Sequence, residues 1–198
     1  MKYNVKKMPA LNWDMAEKAE ISNYVWGKKY TPRAWAKLIC VKDSLFLRME
    51  CEEENPRAEY GDFFDPVYRD SCLEFFFSFE KGGKYINCEM NSRGAALIAV
   101  GEGRNGRVRI DEITSPPAVK ASWEEKVWRV DVEFGLAFLK TVLGEKVSLD
   151  AETIFYGNFY KCGDDTEIPH YGMWNPVITE TPDFHRPEHF GELFITGK

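Results

Sequence analysis

Three histidines, five cysteines and a few carboxylates on alternating positions are the residues of this 198-residue sequence that could do chemistry. His185 and His189 have the four-residue spacing that binds zinc when both lie on one helix. Pro187 falls between them and must open a helix rather than sit inside it, so the two rings need not share a face. His185 is expected instead to brace a loop; the third histidine is His170. The cysteines (Cys40, Cys51, Cys72, Cys88 and Cys162) are odd in number and contain no Cys-x-x-Cys pair. That fits reduced, buried thiols better than a disulfide framework or a zinc site.

A glycosidase needs two carboxyl groups about 5–5.5 Å apart for retention or about 6.5–9.5 Å apart for inversion. Asp70 and Glu74 share a strand face, but at about 3.3 Å per residue they lie roughly 13 Å apart. Glu74 and Glu89 fall in opposite arms of one hairpin and can come closer. Hydrolysis by Glu74 with Glu89 or Asp70 therefore stays open as an alternative reading. No Gly-x-Ser-x-Gly elbow occurs, and Ser92-Arg93-Gly94 lacks the strand-turn-helix setting a nucleophilic serine needs. Gly101-Glu102-Gly103-Arg104-Asn105-Gly106 imitates a dinucleotide fingerprint. It runs into the strand-like Arg107-Val108-Arg109-Ile110, so no helix N-terminus is present to hold a pyrophosphate.

What remains is aromatic surface with planar polar groups: Tyr68, Glu74, Asn87, Asn91, Arg93, Trp174 and Asn175. Sugars present an apolar C–H face and a rim of hydroxyls, and these residue types match both. The competing reading makes Trp174 a plug that packs its own loop onto the body of the protein.

The elements that must position these groups are strands. Ser71 to Phe79 and Tyr85 to Asn91 alternate with period two around Lys81-Gly82-Gly83-Lys84 and predict a hairpin. Leu73, Phe75, Phe77 and Phe79 would face the core with Ile86, Cys88 and Met90; Glu74, Phe76, Asn87, Glu89 and Asn91 would face the other way. Ala34 to Val41 with Ser44 to Glu52 predicts a second hairpin. Val127 to Phe134, Ala95 to Val100, Val108 to Ile113, Glu152 to Tyr160 and Glu192 to Thr196 add further strands. Leu136 to Leu143 is the one helical stretch, with Leu136, Leu139 and Leu143 on one side and Gly144 as its stop. Cys162 to Pro187 reads as a long irregular loop of the kind that carries function. The pattern as a whole predicts one all-β domain over residues 1–198, an antiparallel β-sandwich of jelly-roll or immunoglobulin-like type with one short helix.

Composition narrows the partners. Hydrophobic residues make up 44% and charged residues 29%, which excludes intrinsic disorder. A net charge of -6 with no polybasic run argues against nucleic acid. No window is apolar enough to span a membrane, and no apolar stretch of about 7–15 residues follows Met1, so the sequence as written predicts a cytoplasmic protein, secreted if its native N-terminus lies elsewhere. The 14 Phe, 9 Tyr and 6 Trp exceed what a core of this size needs, leaving aromatic rings for a ligand.

Three ordered blocks carry a resemblance: Asp65-Pro66-Val67-Tyr68-Arg69-Asp70-Ser71-Cys72-Leu73-Glu74-Phe75-Phe76, Gly157-Asn158-Phe159-Tyr160-Lys161-Cys162-Gly163-Asp164, and Pro182-Asp183-Phe184-His185-Arg186-Pro187-Glu188-His189-Phe190-Gly191. With Leu11-Asn12-Trp13-Asp14 at one end and Phe194 at the other, the chain resembles the family 9-like carbohydrate-binding modules. The resemblance implies a jelly-roll β-sandwich without catalytic machinery that serves polysaccharide breakdown. In enzyme-attached members two aromatic rings clamp a sugar at the reducing end of a glucan or xylan chain. Carried over, Trp174 and Tyr68 would be the two rings and Glu74 would accept hydrogen bonds from hydroxyls. Asn91, Arg93 and Asn175 would complete the rim, with Arg109 a substitute for Arg93. Tyr68 stands where sugar-clamping members carry tryptophan. The resemblance requires no cofactor; some members hold a structural calcium, for which no ligand loop is recognisable here. The implied partner is an oligosaccharide or polysaccharide chain end. The alternatives are the hydrolytic pair above, or an interaction domain that has kept the fold and lost the sugar.

Overall fold

Apolar residues recur at every second position through most of this chain, so its segments can bury one face only by pairing as strands and stacking. The computed structural model describes residues 1–27 and 29–197. Among them run β1 (Lys2–Met8), β2 (Ala19–Ile21), β3 (Ala34–Val41), β4 (Ser44–Glu52), β5 (Cys72–Ser78), β6 (Tyr85–Asn91), β7 (Ala96–Gly101), β8 (Val108–Arg109), β9 (Val119–Glu124) and β10 (Val127–Gly135). A helix, α1 (Leu136–Leu143), precedes β11 (Ile154–Gly163), β12 (His170–Met173) and β13 (Gly191–Thr196).

The strands form one hydrogen-bonded sheet in the order β8-β7-β6-β5-β11-β13-β1-β3-β4-β10-β9, with β12 on β11 and β2 on β3. The sheet curls into a β-sandwich whose two halves share one core. Leu38, Leu47, Met49 and Val130 from one half meet Phe75, Phe77, Ile86 and Phe159 from the other, all fully buried. Phe75 stacks on Phe77, two residues along β5, at 4.5 Å and on Phe159 of the neighbouring β11 at 4.9 Å, which ties the two strands at the centre of the core.

The sandwich departs from the antiparallel expectation at β1, which runs parallel to both β13 and β3. This strand joins the two halves of the sheet. Val108 to Ile113 is also corrected: only Val108–Arg109 is strand, and Ile110–Glu112 turns into a 3-10 helix that sinks Ile110 into the core. The long loop after Cys162 contains β12, zipped onto β11 by the pairs Tyr160–Met173 and Cys162–Tyr171. The helix stops where Gly144, at φ +113°, returns its N–H to Lys140. It buries Leu139, as expected, together with Val142, while Leu136 and Leu143 of the expected stripe pack against the main core half-buried.

A second apolar cluster lies on the outer face of the β11-β5-β6 region, under the segment that leads to β13. Val67, Cys72, Phe76, Tyr85, Tyr160, Cys162, Met173 and Phe184 belong to it. One face of these strands therefore packs the main core, and the other supports the loops of the candidate site.

Candidate functional site

Register decides which side chains share the outer face. Tyr160, Glu74, Glu89 and Leu97 stand opposite one another across β11, β5, β6 and β7. One pair further along, Tyr171, Cys162, Cys72 and Asn91 do the same across β12, β11, β5 and β6. Phe76 faces Asn87 in the row on the other side. Glu74, Phe76, Asn87, Glu89, Leu97 and Cys162 form the floor of a cavity of about 360 Å³. Its walls are Tyr68, Tyr171, Arg104, Asn105, Arg107, Asp164 and the segment Pro182 to His185.

The walls are fixed by specific bonds. Arg107 donates through Nε to Asn87 Oδ1 at 2.7 Å and through Nη2 to the Tyr85 carbonyl at 3.0 Å, and its guanidinium lies 4.2 Å from the Tyr85 ring centroid. The Tyr85 hydroxyl hydrogen bonds His185 Nδ1 at 2.8 Å. Arg104 pairs with Asp183 at 3.1 Å. Phe184 stacks on Tyr160 at 4.0 Å, and Trp26 packs edge-on against Tyr171. Tyr68 keeps 39% of its surface exposed at the mouth.

The floor is electrostatically unusual. Burial pushes Glu74 well above the usual carboxylate range, and neighbouring Cys162 and Glu89 push it further. Burial raises Glu89 to about 7, against a hydrogen bond from Asn87 and the charge of Arg107. His185 is lowered to about 4 by burial and by Arg107 and Arg104. The floor therefore holds two carboxyl groups whose protonated form burial favours, beside a wall imidazole, His185, whose neutral form it favours. Such groups both donate and accept hydrogen bonds, as hydroxyls require.

Of the residues singled out from sequence, Tyr68, Glu74 and Asn87 line this cavity; Trp174, Asn175, Asn91, Arg93 and Arg109 do not. Trp174 is 3% exposed and sits in the main core, edge-on to Tyr3 at 6.3 Å and to Phe159 at 5.6 Å. It is the plug, not a clamp ring, because the bare Gly191 backbone lets the indole settle against it; a Cβ there would overlap the ring. Asn175 bonds the N-terminal ammonium, the His189 carbonyl and Asn158. Asn91 is fully buried, donating to Asp70 and the Tyr60 carbonyl and accepting from the Arg93 and Ala95 N–H groups. Arg93 points to the Ala58 carbonyl, and Arg109 pairs with Asp111 while covering Phe64. Asp70 is held by Arg57, two backbone N–H groups and Asn91, so it belongs to the scaffold.

Sequence reasoning missed Tyr171, Arg104, Arg107 and Asp164. Tyr171 was legible in principle: the alternation of Tyr171 and Met173 pairs with Cys162 and Tyr160, placing the tyrosine on the outer face. The arginines come from a turn whose direction the sequence does not encode.

A larger depression of about 700 Å³ lies beside Tyr30, Glu52, Glu53, Glu54, Glu125 and Glu167. Its inner wall is a structural network. The fully buried Lys161 donates to Ser71 at 2.8 Å and to His170 Nε2 at 2.7 Å, and lies 3.6 Å from Glu53. Burial pushes Glu53 up, but Lys161, Ser71 and Trp128 prevail and hold it below the usual range. Burial and Lys161 lower His170 to about 4. With a single aromatic, Tyr30, beside Glu52, Glu53, Glu54, Glu125 and Glu167, this depression lacks the slab-and-rim composition of the smaller cavity.

Among the described residues, one group brings three His, Cys, Asp or Glu ligand atoms within 4.8 Å of one another: Cys72, Glu74 and Cys162. Two thiols do not suit calcium, which takes hard oxygen donors.

Known proteins share this architecture. A protein from Bacteroides uniformis, described as a candidate carbohydrate-binding protein, superposes with a TM-score of 0.81 at 24% identity over 98% of both chains. A carbohydrate binding module family 9 from Caldicellulosiruptor kristjanssonii, solved with cellotriose and with glucose, gives a TM-score of 0.72 at 13% identity. These matches cover 100% of this chain and 95% and 97% of the neighbour. No curated protein sequence matches. The model of the carbohydrate-binding family 9 spans residues 6–195, and the chain belongs to that family.

Proposed function

We propose that this protein binds the terminal sugar of a gluco- or xylo-oligosaccharide in the cavity between Tyr68 and Tyr171, without altering it. The observation that carries the reading is that an exposed aromatic ring, Tyr68, lines the same cavity as Glu74, Asn87, Glu89 and Arg107. Rings supply the slab for a pyranose face; the carboxyl, amide and guanidinium groups satisfy its hydroxyls. Two tyrosines replace the Tyr68/Trp174 pair expected from sequence. A tyrosine presents less ring than a tryptophan, and a small ligand with one or two stacking contacts gains about 4–8 kcal/mol, a micromolar to millimolar dissociation constant.

Titration calorimetry with glucose, cellotriose and xylotriose tests this. Saturable heat with at least one sugar, lost in Tyr171→Ala and Glu74→Gln while the fold persists, is the expected result. Absence of heat with every glycan would support instead a packed interaction domain, which the burial of Trp174 favours.

A hydrolytic reading draws on one observation: Glu74 and Glu89 pair directly across β5 and β6, with Glu89 raised to about 7, the range of a general acid. Burial raises Glu74 as well, so this pair is not split into one raised acid and one ordinary carboxylate. Release of reducing sugar that disappears in Glu74→Gln would establish hydrolysis over binding.

A further inference from the structure

We propose that Cys72, Cys162 and Glu74 form a binding site for a soft divalent cation, zinc above all, at the floor of the cavity. The proposal is independent of sugar binding, and its test contains no sugar.

Strand register builds the site. Cys72 and Cys162 are direct partners across β5 and β11, so both thiols leave the sheet on the same face. Glu74 lies two residues along β5 on that face. Cys162 Sγ stands 2.8 Å from Glu74 Oε1, and all three ligand atoms fall within 4.8 Å of one another. In a tetrahedral zinc site, with bonds of about 2.3 Å to sulfur and about 2.0–2.2 Å to oxygen, ligand atoms sit about 3.5 Å apart. Rotamer-scale movement on two rigid strands reaches that spacing. Sequence gives no warning of this site, because the cysteines are far apart in the chain and form no Cys-x-x-Cys pair.

Plain core packing accounts for the two thiols but not for the company they keep. Glu74 is 3% exposed, with a thiol against its carboxyl. Glu89, directly opposite Glu74 and 4% exposed, leaves Oε2 buried with no hydrogen-bond partner in the same cavity. A cation held by the two thiolates and Glu74 would resolve both features: it balances the carboxylate left when the Glu74 proton is displaced, and the water in its open fourth position gives Glu89 Oε2 a partner. Two thiolates select a soft d10 ion over calcium or magnesium. Binding displaces to solvent the two thiol protons and the proton that burial favours on Glu74, so affinity rises with pH.

The untagged full chain, reduced and stripped of metal, is titrated with cobalt(II) as a spectroscopic stand-in for zinc. The expected result is a thiolate-to-cobalt charge-transfer band and tetrahedral visible bands that saturate at one equivalent and are erased by zinc. Cys72→Ser and Cys162→Ser should bind more than about 100-fold more weakly, while Cys40→Ala keeps the bands. If the serine variants fail to fold, X-ray absorption on zinc-loaded wild type decides, with two sulfur neighbours expected. No charge-transfer band at one equivalent, bands that survive in Cys162→Ser, or a zinc shell without sulfur would overturn the proposal.

Discussion

Glu74 and Glu89 face each other directly across β5 and β6, both on the outer side of the sheet and both buried. Two acids so placed cannot both ionise cheaply, because each charge would lie in a poorly hydrated site beside the other. Their protonation is therefore coupled to stability. Glu89 holds its proton up to about 7 when folded but releases it near 4.5 when unfolded. Between those values the native state binds more protons, so the stability this group confers falls as pH rises and is constant above pH 7. Glu89→Gln should gain on wild type by on the order of 2–3 kcal/mol between the low and high ends of that window. Urea unfolding of both proteins below pH 4.5 and above pH 7 checks this; an unchanged difference would show that Glu89 is not held protonated.

The opposite sign applies to His185. Its folded value of about 4 lies below the ordinary 6.5, so the native state binds fewer protons in between. The stability it confers is complete above 6.5 and is lost as pH falls toward 4. The imidazole resonances should titrate at about 4 in the folded protein, and His185→Gln should lose less stability than wild type on acidification. A ring that titrates near 6.5 would place it in solvent, away from the Tyr85 hydroxyl.

Trp174 should behave as a core residue. Trp174→Ala is expected to destabilise by about 3–5 kcal/mol, and Gly191→Ala should also destabilise, because its methyl would meet the indole. Trp174→Phe, which keeps much of the volume, should leave any sugar affinity unchanged in the folded fraction. Melting curves paired with calorimetry separate this from a clamp role, which predicts lost affinity at intact stability.

Lys161→Met should cost about 3–5 kcal/mol, because it leaves Glu53 buried without its cation and His170 without the donor on Nε2. The same variant should raise the His170 titration point, since the ammonium charge is one of the causes that lower it. Chemical denaturation and a histidine NMR titration read the two effects. A loss below about 1 kcal/mol would mean that Glu53 is solvated through the neighbouring depression.

The strands were legible because period-two burial leaves a direct trace: the faces assigned to Leu73, Phe75 and Phe77 against Glu74, Phe76 and Asn87 are those observed. Short elements were not. β1 alternates only from Lys2 to Val5 and β2 only over three residues, traces too short to stand out, and β12 is four residues held by its partner. At the site, Glu74 and Asn87 were found because period-two alternation puts them on the outer face, and Tyr68 because of its residue type and the family resemblance. Trp174 was misplaced because an aromatic residue in a loop has the same one-dimensional appearance whether it faces solvent or a glycine across the core. Arg107 was missed because its role depends on a turn folding back over Asn87 and Tyr85.

The central claim is a location, and NMR chemical-shift mapping with cellotriose reads location directly. The account predicts sugar-dependent shifts at Tyr68, Tyr171, Asn87 and Arg107, with none at Trp174 or around Tyr30 and Glu53. Shifts confined to the acidic depression beside Tyr30, or none with any oligosaccharide, would contradict it.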